Sequence, residues 1–245
     1  MKRINNQKVI LLALWALAIV TFVGWLVFRN THQEEVCKDI QVKIYPSEDI
    51  YFVTRSRVLQ LLVDSLNQSV IGKPLDRIDL NFLERKLSKN PNVEKANVYT
   101  HLNGKLVAEV WQKEPIIRIQ KDSDYGFYLD SKGESFPISK NYTARVMVAT
   151  GRIDSTVVKK LYTLALFVQE NTFWKAQIEQ IFVTEQKDII LIPKIGDCQL
   201  VLGDVDRLEQ KLNDLQVFMQ KGFTSVGWQK YKSVSVKFKD ILVCK

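Results

Sequence analysis

The chain predicts an α+β fold: a single N-terminal transmembrane helix, a small βααββ domain, then a larger β-rich domain with an antiparallel sheet and helices. Three observations carry this. Val9 to Phe28 is an uncharged run whose one polar side chain is Thr21. Between Cys37 and Pro115 the apolar pattern switches from period two to helical spacing and back. Beyond Pro115, short alternating runs recur with two helical stretches among them.

The apolar run comes first. About 20 apolar residues in a helix match the roughly 30 Å hydrocarbon core of a bilayer. Lys2, Arg3 and Lys8 precede the run, while Arg29 and then Glu34 and Glu35 follow it. The positive-inside rule puts the short tail in the cytoplasm. A cleavable signal peptide would carry a shorter apolar core and a small-residue cleavage site, so an uncleaved anchor is expected. The expected division is a cytoplasmic tail over 1–8, the transmembrane helix over 9–28, a tether over 29–36, the small domain over 37–115 and the β domain over 116–245.

In the small domain, Ile40, Val42 and Ile44 alternate with polar residues and predict a half-buried strand. Thr54 can cap a helix with Val58, Leu61, Leu62 and Leu66 on one stripe, ended by Gly72-Lys73-Pro74. Asp79 can cap a second helix with Leu80, Leu83 and Leu87, which Asn90-Pro91 stops. Val98 to Leu102 and Leu106 to Trp111 alternate around Asn103-Gly104, the favoured pair of a two-residue type I′ hairpin. Glu114-Pro115 ends the second of these strands.

In the larger domain, Phe127 to Leu129 and Ser135-Phe136 bracket a turn at Asp130 to Gly133, and Val146 to Ala149 reads as a buried strand. Asp154 opens a helix to about Asn171. Strands follow at Ile178 to Val183, Ile189 to Ile192 and Cys198 to Leu202. Asp204 or Asp206 starts a long helix on Leu208, Leu212, Leu215 and Met219, with Gly222 as its terminating glycine. One last strand is expected from about Ser233 to Cys244.

Composition limits the function. The chain is 46% hydrophobic and 25% charged, with formal net charge +8. Lys2, Arg3, Lys8 and Arg29 supply four of those charges, and the remaining +4 is too scattered to argue for nucleic acid. Three cysteines, Cys37, Cys198 and Cys244, form no CxxC motif; one bridge or none remain equal alternatives. The two histidines, His32 and His101, read as surface residues, and no nucleophile elbow, zinc motif or phosphate loop occurs. Neither a catalytic centre nor a cofactor nor a metal is expected. Asn67-Gln68-Ser69 and Asn141-Tyr142-Thr143 match a glycosylation sequon by chance. Trp111, Trp174 and Trp228 read as packing residues, with an exposed partner anchor as the alternative.

The terminal segment is the interaction candidate. From Trp228 to Lys245 there are five lysines against one acid, Asp240. Lysines on an edge strand can simply oppose aggregation, or a basic edge can take up an extended acidic peptide by strand addition. The residues alone do not separate the two.

Several of these stretches together resemble the bacterial division family FtsQ/DivIB. Asn90-Pro91-Asn92-Val93-Glu94-Lys95-Ala96-Asn97-Val98 and Trp111-Gln112-Lys113-Glu114-Pro115 are similar to the family's signature around its small domain, a POTRA domain. Phe52-Val53-Thr54, Tyr128 to Gly133 and Leu200-Val201-Leu202-Gly203 fit in order. The resemblance implies a non-enzymatic divisome scaffold in the inner membrane, enriched at the septum. It would bind FtsB and FtsL and serve the septal synthase components FtsW/FtsI. It further implies that an FtsB segment adds along Ser235, Val236, Lys237, Phe238, Lys239, Asp240, Ile241, Leu242 and Val243, with Lys187 helping to hold it. The cysteines are not part of the family pattern, and the apolar run Ile241 to Val243 departs from it. A POTRA-bearing component of envelope assembly or secretion is the alternative, and an exported hydrolase the third reading.

Overall fold

The computed structural model describes residues 6–31, 35–46, 50–65, 70–101, 103–121, 125–139, 142–226 and 230–245. Leu66, Leu102, the 67–69 sequon, Asn141, His32, Glu34 and Trp228 lie outside the described residues.

Helix α1 is Asn6–Thr31. Among the described residues no helix is long and apolar enough to cross a membrane, which corrects the transmembrane helix expected over 9–28.

The small domain holds β1 (Asp39–Tyr45), α2 (Arg55–Ser65), α3 (Leu80–Ser88), β2 (Val93–His101) and β3 (Lys105–Gln112), in a sheet ordered β1-β3-β2. The start of each helix follows local chemistry. Thr54 Oγ1 accepts from Arg57 N at 3.3 Å, and Asp79 Oδ1 accepts from Phe82 N at 2.8 Å. Val58, Leu62, Leu83 and Leu87 turn inward onto Leu106, Ala108 and Val110. The hairpin differs from the expected two-residue turn. His101 faces Lys105, so three residues connect the strands, with Gly104 at φ +83°. A Cβ on Gly104 would lie 2.7 Å from Val36 O, so glycine is required twice over.

The larger domain begins at β4 (Pro115–Gln120), a strand unforeseen in the sequence, separated from β3 by only Lys113 and Glu114. It continues with β5 (Gly126–Asp130), β6 (Ser135–Pro137), β7 (Met147–Gly151), α4 (Ser155–Glu170), α5 (Thr172–Gln177), β8 (Ile178–Val183), β9 (Ile189–Pro193), β10 (Gln199–Gly203), α6 (Leu208–Val226), β11 (Ser233–Ser235) and β12 (Val243–Cys244). The sheet order is β12-β11-β10-β9-β8-β7-β4-β5-β6. It is mixed, not antiparallel as expected: β4 with β7, β7 with β8 and β10 with β11 all pair parallel. Two of these pairs are helical crossovers, through α4 and α6, and such a crossover returns the chain in the same direction. Leu161, Leu164 and Val168 of α4 join Leu212, Leu215 and Met219 of α6 in one core against one face of the sheet. Helix α6 runs through Gly222 to Val226, past the expected terminating glycine.

The two domains share side chains. Tyr128, Phe136 and Ala144 belong to the larger domain, yet they pack in the same cluster as Phe52, Val53 and Leu62 of the small one. Phe52 meets Tyr128, Phe136 and Tyr142 edge-on at 5.4, 5.6 and 5.0 Å between ring centroids. Buried Gln112 donates to Pro46 O and Ile50 O and accepts from Val53 N. Lys113 pairs with Asp130 and Glu134, and Lys132 with Glu94.

Candidate partner-docking edge

The end of the chain forms one rim of the nine-stranded sheet. The single terminal strand expected from Ser233 to Cys244 is instead a folded-back pair. β11 lies parallel to β10, and β12 returns antiparallel to it, with Ser235 opposite Val243 and Val234 opposite Cys244. The reversal passes through Asp240 at φ +55°, a left-handed position that aspartate tolerates better than most residues.

The expected docking residues therefore separate into groups. Ser235 lies in β11, an inner strand paired on both sides. Val236 is buried, and its N–H donates to Val201 O at 3.0 Å. Lys237 bonds Asp188 at 2.7 Å. Lys239 is exposed. Phe238 and Ile241 are each 59% exposed and Leu242 36%, an apolar group beside Val217 of α6. A cavity of about 510 Å³ opens between α6 and this loop. Val243 lies in β12. Lys187 sits in the β8–β9 turn at φ +66°, with its ammonium 2.6 Å from Asp154 Oδ2.

The open rim is β12. Lys245 donates to Ser233 O and accepts from Ser233 N. Alternation along an antiparallel strand then turns the N–H and C=O of Cys244 away from β11, to the open edge. Cys244 was missed as a candidate because its sequence neighbours carry no turn signal. Val217 was legible: it is an apolar residue off the Leu208, Leu212, Leu215, Met219 stripe.

Electrostatics at this end are set by ion pairs. Lys187, helped by the N–H of Val157, holds the Asp154 carboxyl at about 2. The ammonium of Lys211, whose side chain is 2% exposed, bonds Asp206 and Asp204 O and holds Asp206 below the usual carboxylate range. All three cysteines are free, and burial pushes their thiols up, away from the thiolate that nucleophilic chemistry needs. Among the described residues no group of three or more His, Cys, Asp or Glu could hold a metal. His101 stacks edge-on against Tyr99, Trp111 stacks on Tyr45, and Trp174 is core.

A small α+β module thus shares its core with a larger mixed sheet that ends in an open strand, the kind of edge to which a partner strand can add. A POTRA-like domain model matches residues 35–111, and the model for FtsQ/DivIB, C-terminal related matches residues 114–245. The second covers more than half of the chain, which therefore belongs to the FtsQ/DivIB family. Both are families of non-catalytic scaffolds, and the pairing fits a division-related role. No curated protein matches the chain significantly.

Proposed function

We propose that this chain is a non-enzymatic scaffold of the bacterial divisome, which binds FtsB-like and FtsL-like partners at the septum and through them serves the FtsW/FtsI synthase. The observation that carries the reading is the open β12 edge at the end of a domain of this family. An incoming strand bonds Cys244 through the backbone, Phe238, Ile241 and Leu242 bury its apolar side chains, and Lys239 attracts its acids. Substituting proline at Val236 is a poor test, because that N–H already bonds Val201 O.

Cys244→Pro removes an outward donor and spares the inner ladder. It abolishes co-purification of an FtsB-like partner with the full chain, while Cys244→Ala retains it. Normal capture by a folded Cys244→Pro variant overturns strand addition. A fluorescent fusion concentrates at mid-cell, and depletion yields long cells with blocked septa; normal division on depletion overturns the divisome role.

A further inference from the structure

A second groove, of about 730 Å³, opens in the small domain between the first turns of α2, the end of α3 and the Asn90-Pro91-Asn92 turn. Its charged lining residues are Arg57, Lys86 and Lys89, with no carboxylate among them. Arg57 donates to Gln60 at 2.9 Å and Lys86 lies over the Phe82 ring, and among the described residues none of the three forms an ion pair. Lys86 and Lys89 suit the negative end of the α3 dipole, but Arg55 and Arg57 do the reverse. They place cations in the first turn of α2, where the dipole is already positive and no acidic residue offsets them. A local rule broken in this way marks a position kept for something other than helix stability.

The groove therefore offers three cations over an apolar floor of Phe52, Leu61 and Pro91.

We infer that this groove docks an acidic, extended peptide segment of a partner protein. Carboxylates of the segment meet Arg57, Lys86 and Lys89, and its apolar side chains pack on Leu61 and Pro91. A simple anion satisfies the cations and leaves the apolar floor bare; a peptide segment covers both. The site is in the other domain from the terminal edge and stands without the divisome reading.

The test measures binding of the full chain to an array of short peptides rich in Asp and Glu, against the same peptides carrying Asn and Gln. The acidic set binds and the amide set does not. A double charge reversal, Arg57→Glu with Lys89→Glu, weakens binding about tenfold or more. Equal binding of both peptide sets overturns the proposal, as does binding indifferent to charge reversal. Charge-sensitive binding to phosphatidylglycerol vesicles in place of the peptides assigns a lipid surface and overturns it too. Cys244→Pro leaves the peptide signal intact, so failure at one site is distinguishable from failure at the other.

Discussion

Lys237 Nζ lies 2.7 Å from Asp188 Oδ2. The contact ties the loop after β11 to the β8–β9 turn, and the preceding residue of that turn, Lys187, bonds the N-cap of α4. One short turn thus holds the start of a core helix and the chain's last reversal.

Lys237→Ala releases that reversal. The pair is partly exposed, so its net worth is about 0.2–1 kcal/mol. The melting temperature shifts by no more than about 2–4 °C, while the amides of residues 237–242 exchange faster with solvent. Hydrogen exchange followed by mass spectrometry separates this local loosening from global destabilisation.

Acid removes the Asp154 contribution. Its carboxyl is held at about 2 against an ordinary 3.8. A depressed carboxylate stabilises the fold at neutral pH, and that part is lost as pH falls from about 4 through about 2. Urea midpoints measured from pH 6 to pH 2 fall more steeply for the native chain than for Asp154→Asn, and the two curves converge at the acid end.

Phe52→Ala empties a site against three aromatic rings of the other domain. It costs about 3–5 kcal/mol. Calorimetry shows one transition for the native chain and two for the variant, because the shared cluster is what couples the domains.

Gly151→Ala is the most disruptive small change. Gly151 has φ +100°, and an added Cβ would lie 2.0 Å from Val183 O in the strand beside it. Backbone strain and displacement of β7 from β8 together cost about 3 kcal/mol or more. A denaturant midpoint within error of the native value would refute this.

Signals within a few residues were legible in the sequence. Asp79 and Asp154 cap the helices assigned to them, and Asn103-Gly104 lies in a hairpin. What was not legible depends on distant partners. Strand direction in β8 and β11 is set by where the crossover helices return the chain. β4 was hidden because Glu114-Pro115 reads as a stop, although proline at the first residue of a strand loses no ladder donor that matters there. At the candidate site, the exposed lysines and Phe238 were visible. The reversal at Asp240 was not, because neither glycine nor proline stands between the alternating Val234, Val236 and Phe238 and the apolar run Ile241 to Val243. The pairing of Lys187 with Asp154, a contact 33 residues distant in sequence, was not legible either.

The cluster around Phe52 also sets an order of events during synthesis. A first domain ordinarily folds as a unit as it leaves the ribosome. Here Phe52 and Val53 lack their final neighbours until Tyr128, Phe136 and Ala144 have emerged. The nascent small domain therefore presents an unsealed aromatic flank while much of the next domain is still being made, and chaperones have that interval in which to act.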